Sequence, residues 1–134
     1  MTLARVQAWV RRLPPAELDL PLLIVDGAAY TPRAALEEVR RGTALGARLQ
    51  ALVESGRLGT SAEEELALAK LRLVELLRRY PPDRPLVAVL RAPSAATYTP
   101  RQLIEEVLAE TPTGRQWLAG ELQHMRRLVG LAVA

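Results

Sequence analysis

Apolar residues recur at helical spacing from the first residues of the chain. Leu3, Val6, Trp9, Val10 and Leu13 fall on one face and predict a helix over residues 3–13, closed by the double proline Pro14-Pro15. A second apolar stripe runs through Leu66, Ala69, Leu73, Leu77 and Tyr80, widened by Leu68, Leu71, Val74 and Leu76. It predicts a helix over residues 61–80, packed on several sides and central to the fold. Ser61 with Glu64 has the form of a capping box at its start. Thr31-Pro32 and Thr99-Pro100 combine an N-cap with proline at the first helical position, so further helices are expected over 32–41 and 100–110. Leu36 and Val39, matched by Ile104 and Val107, mark their inward faces. Helices over 44–55 and 114–129 complete the set. Pro21–Val25 and Pro85–Val89 are apolar runs too short for a helix, and read as buried extended segments or short strands. Asp26-Gly27 can turn the first of them into a hairpin. One such strand from each half could also pair near a pseudo-twofold axis.

The order of these signals repeats. Residues 30–49 read YTPRAALEEVRRGTALGARL and residues 98–117 read YTPRQLIEEVLAETPTGRQW. Nine of the twenty positions are identical at one constant offset, among them Tyr30/Tyr98, Arg33/Arg101, Glu38/Glu106, Thr43/Thr111 and Gly46/Gly114. Two shorter blocks precede each copy in the same order: the arginine pair with double proline (residues 10–15 and 77–82), then the apolar run. Collinear blocks with unequal spacers are what duplication followed by loop change leaves behind. The expected architecture is therefore mainly α, about six helices in two tandem diverged copies of one helix–extended segment–helix–helix unit. Short strands at residues 21–25 and 85–89 make α+β the alternative. All 134 residues are expected to form one domain, copy one spanning about 3–56 and copy two about 61–130.

Composition narrows the class. An apolar fraction of 49% with 25% charged residues is that of an ordinary globular chain rather than a disordered one. The apolar set is dominated by Leu, Ala and Val, with no Phe or Cys, which favours helix over strand. Lys70 is the single lysine among eighteen basic residues, Asn is absent and prolines number ten. That bias suits a GC-rich genome and a heat-adapted source. Lack of Cys removes disulfides, thiolate nucleophiles and Cys-based metal sites. No continuous apolar run of signal-peptide or membrane-span length occurs, so a cytoplasmic location is expected. The net charge of +3 is modest and scattered, whereas a dedicated nucleic-acid binder more often concentrates it on one element.

Few residues present themselves for chemistry. Arg33, Glu37 and Glu38 recur as Arg101, Glu105 and Glu106, so each copy shows the same small charged face. Paired carboxylates can do acid–base work or hold a divalent cation. Neighbours on a helix point about 100° apart, however. With Arg one turn earlier, these groups read as solvated ion pairs or as a partner-binding face. His124 is the single histidine, has no second ligand or nucleophile at useful spacing, and reads as a boundary residue beside the stripe Leu118, Leu122, Met125 and Val129. The serines lie in no G-x-S-x-G elbow, and Gly42 to Gly46 lacks the Lys-Ser/Thr of a phosphate loop. Trp9, on a basic amphipathic helix, is either core or an anchor for a partner. The arginine pairs Arg11-Arg12, Arg40-Arg41 and Arg126-Arg127 could meet phosphates, although each lies near a helix end whose dipole favours cations.

No catalytic, cofactor or metal site is expected from this inventory. It points to a non-catalytic protein–protein interaction module, an adaptor, assembly factor or structural subunit, whose partner is another protein or a second copy of itself. The alternative is a nucleic-acid-binding or regulatory protein using the paired arginines. The residues singled out for a partner are Arg33, Glu37, Glu38, Arg101, Glu105, Glu106 and Trp9.

Overall fold

A computed structural model describes residues 2–88 and 96–133. Its chain runs through α1 (Thr2–Arg12), a single 3-10 turn (Pro15–Glu17), β1 (Leu23–Val25), β2 (Ala28–Tyr30), α2 (Pro32–Arg41) and α3 (Ala44–Ser55). It continues through α4 (Ala62–Leu77), β3 (Leu86–Ala88), β4 (Ala96–Tyr98), α5 (Pro100–Ala109) and α6 (Pro112–Gly130). The fold is mainly helical, and a helix–hairpin–helix–helix order occurs twice. Val89, at the end of the second apolar run, lies outside the described residues.

The strands pair within each half. β1 lies antiparallel to β2, with Leu23 opposite Tyr30, and β3 lies antiparallel to β4, with Leu86 opposite Tyr98. Among the described residues, β1 and β3 do not pair across an axis. Local turn chemistry decides this: Asp26 and Gly27 both take positive φ (51° and 79°), the two-residue geometry that folds a strand back on itself. The far edge of β1 is also occupied, since the Ile24 amide donates to the carbonyl of Leu58 at 2.9 Å.

Helix starts follow the threonines. The hydroxyls of Thr31, Thr43, Thr99 and Thr111 accept from the amides of Ala34, Gly46, Gln102 and Gly114 at 2.9–3.2 Å. α6 therefore begins at Pro112, two residues ahead of expectation, because Thr111-Pro112 repeats the signal that opens α2 and α5. α4 stops at Leu77 rather than running to residue 80, and Tyr80 is exposed. Ser61 caps α4, but Glu64 reaches past it to the amide and hydroxyl of Thr60 and to Gly27, which ties the helix to the hairpin turn.

One hydrophobic cluster draws on both halves. Val6 and Trp9 of α1, with Leu13 just beyond it, meet Leu22–Val25, Leu49 and Val53 of α3, Leu68 and Leu73 of α4, and Leu118, Met125 and Val129 of α6. α4 packs against α5, α6 and β1, the central position its broad apolar face predicts. Trp9 is completely buried, and its indole N–H donates to the Leu128 carbonyl at 2.9 Å. Trp9 is a core residue that clasps α1 to α6, so it is no anchor for a partner in this fold. No helix among the described residues is long and apolar enough to cross a membrane.

Candidate functional site

The repeated charged face is assembled differently from the ion pairs the sequence suggests. Arg33 does not turn to Glu37. Its guanidinium forks onto Asp19, Nε to Oδ1 at 2.9 Å and Nη2 to Oδ2 at 3.4 Å. Arg101 forks onto Asp83 in the same way, at 3.2 and 3.4 Å. The backbone supports both forks alike, as the Arg33 amide donates to Leu18 O and the Arg101 amide to Pro82 O. The hydrogen bond from Arg33 is the main cause that holds the Asp19 carboxyl below the usual carboxylate range, with Arg79 adding positive potential. Both forks are solvent-exposed.

Glu38 and Glu106 belong to a helix junction. The Glu38 carboxylate accepts from the Thr43 hydroxyl at 2.7 Å, and that of Glu106 accepts from Thr111. The next helix then passes so close that a methyl group at Gly46 would collide with the Glu38 carbonyl, and one at Gly114 with the Glu106 carbonyl. Thr, Gly and the second Glu of each repeated block (residues 30–49 and 98–117) thus recur because two helices cross at backbone distance there. Glu37 and Glu105 remain exposed and make no ion pair among the described residues.

Between α1 and α2 lies a groove of about 540 Å³. Its floor is apolar, from half-buried Val10, Leu18 and Leu36, and Arg33, Glu37 and Arg40 stand on its rim. A smaller depression of about 260 Å³ opens beside Arg48, Leu52 and Arg57. It is under the roughly 300 Å³ at which ligand pockets usually begin. Arg48 there is held by Asp26, whose carboxyl it lowers.

A polar cluster that sequence reasoning missed sits inside the molecule. Arg72 of α4 is 1% exposed, and its guanidinium meets three elements at once: Glu17 of the 3-10 turn, the Pro21 carbonyl at 3.0 Å, and Glu121 of α6. His124 approaches Glu17 at 3.3 Å, so the lone histidine does have a carboxylate neighbour, brought from far away in sequence. Burial alone would raise the Glu17 carboxyl, but hydrogen bonds and charge from Arg72, aided by His124, outweigh it and hold the group down. The cluster joins the halves. Its acids are occupied by a permanent cation, which suits a structural tie better than proton transfer.

One arginine of each pair is engaged at the surface by an oxygen of the chain. Arg12 donates to the Leu131 carbonyl at 2.7 Å, Arg41 reaches Glu38, and Arg126 reaches Glu65 at 2.9 Å. Arg11, Arg40 and Arg127 are exposed. What the described surface offers is therefore a groove with a mixed-charge rim and two like-built arginine forks. No family model, curated protein or solved structure matches this chain.

Proposed function

We propose that this chain is a non-catalytic protein–protein interaction module of the cytoplasm, an adaptor, assembly factor or structural subunit built from two copies of one unit. The α1–α2 groove carries the reading. An apolar floor edged by exposed charges is how a surface receives a helical or extended segment of a partner, with the floor supplying area and the rim supplying register. The arginine forks support it: each guanidinium is pre-ordered by its aspartate yet stays exposed, and an ordered Arg is a favoured interface anchor. The duplication is supported by threonine caps, forks and glycine junctions recurring at matched positions. A phosphate-binding surface draws less support, because one arginine of each pair is already engaged by an oxygen of the chain itself.

Capture from the native cell tests this. Arg33→Ala with Arg101→Ala should leave melting nearly unchanged, since both forks are exposed, and should lose the partner that wild type and the surface control Arg57→Ala retain. A folded double variant that keeps every partner would overturn the reading. Salt-steep binding of mixed DNA or RNA by wild type would favour the nucleic-acid alternative instead.

A further inference from the structure

The α2 and α5 faces occupy matching places in the two halves, but one exchange of side chain makes them complementary rather than alike. Where α2 carries Arg40 on the groove rim, α5 carries Leu108, which is 55% exposed and among the most exposed large apolar residues described. One turn before Leu108 stands Glu105, also exposed. The groove presents the converse: apolar Leu36, flanked by Leu18 and Val10, with Arg40 one turn further along α2. Residues three and four apart on a helix lie about 5–6 Å from each other. An antiparallel α5 seated in the groove would therefore bring Leu108 onto Leu36 and Glu105 beside Arg40 together. A parallel seating in register would oppose Arg33 to Arg101 and Glu37 to Glu105, pairing like charges.

We propose that the α1–α2 groove receives the α5 face of a second copy of this chain, with Leu108 as the apolar anchor and Glu105–Arg40 as the charge pair that sets direction. The proposal rests on the interaction-module reading and names its partner. Each molecule has one groove and one α5 face, so the contact is heterologous. It closes if two molecules exchange faces and otherwise continues as a chain. A single helix face in a single groove is small beside the roughly 1,200–2,000 Å² of stable interfaces, so association is weak and depends on concentration.

Sedimentation equilibrium of the full chain from low concentration to about 1 mM, the weak end of specific association, reads this directly. Wild type should exceed the monomer mass as concentration rises. Arg40→Glu and Glu105→Arg, each setting like charges together, should weaken association at least about tenfold. Mixing those two variants should restore it. The carboxylate introduced into one groove then meets the guanidinium introduced on the other molecule's α5, and the remaining contact is the native pair. Leu108→Ser should abolish association. All three residues are on the surface, and circular dichroism checks folding; if one variant fails to fold, the others still decide. A monomeric wild type overturns the proposal, as does association that the folded variants leave untouched. A monomeric wild type that still loses a foreign partner on Arg33→Ala with Arg101→Ala would sink this inference alone and leave the interaction-module reading standing.

Discussion

Glycine within a helix is ordinarily a cost, and Gly46 and Gly114, each the third residue of its helix, show what offsets it. A side chain at either would strike a backbone carbonyl of the preceding helix, which no rotamer change relieves. Gly46→Ala and Gly114→Ala should each destabilise by about 1–3 kcal/mol, the range for overpacking a tight contact. Gly120, inside α6 with open space around it, should behave oppositely, and its change to Ala should gain about 1 kcal/mol of helix propensity. Thermal melts of the three variants decide the matter, and a Gly46→Ala protein as stable as wild type would refute the close crossing. The caps Thr31 and Thr99 were legible in the sequence because an N-cap acts over three residues of one chain, whereas Thr43 and Thr111 were not read as caps. The partners of Arg33 and Glu38 were not. Arg33 looks toward Glu37 on a helical wheel, whereas its actual partner comes from the loop before β1. Asp19 and Asp83 each stand two residues ahead of the proline that opens the apolar run, so the repeat did carry a signal for the forks.

At the scale of elements, the 3-10 turn, α4 and α6 are held by charge as well as by apolar contact. Arg72 lies wholly buried against two carboxylates. Removing one partner of such a cluster typically costs about 3–5 kcal/mol, since the remainder stays buried and unpaired. The lowered Glu17 pKa fixes the sign of a pH dependence. A carboxyl whose folded pKa is depressed stabilises the fold fully above its unfolded value and loses that contribution as pH falls through the folded value. The stability difference between wild type and Glu17→Gln should therefore be greatest at neutral pH and shrink below about pH 4 to 4.5, the ordinary glutamate range. Denaturant melts in a pH series measure it, and a difference independent of pH would show that Glu17 acts by packing alone. This cluster was hidden for a physical reason. A lone arginine in a leucine-rich helix looks like a solvent-facing residue until distant carboxylates turn it inward. The hairpins were half legible: Asp26-Gly27 announces a turn, but Ala28–Tyr30 and Ala96–Tyr98, three residues each, are too short to signal strands.

For the molecule as a whole, two units of like order close around one core. Trp9 and Arg12 fasten the end of α1 to the carbonyls of Leu128 and Leu131, and Arg72 ties the first hairpin to α4 and α6. The helix count and order were legible from periodicity and caps, because those are local. The groove was not, since it exists only where α1 lies along α2 and leaves Val10, Leu18 and Leu36 half covered. The candidate residues separate accordingly. Arg33, Glu37, Arg101 and Glu105 stand outward, Glu38 and Glu106 serve the helix junctions, and Trp9 serves the core. Likeness of the two units underlies the interaction reading, while the groove–α5 pairing adds to it their difference at Arg40 and Leu108, so that likeness is what most needs measuring. A crystal structure overlaying residues 30–49 on 98–117 measures it. The expected result is one shared path of strand end, helix, left-handed turn and helix, with Arg33 forked onto Asp19 and Arg101 onto Asp83. One block helical and the other extended, or the two arginines turned to unlike partners, would contradict it.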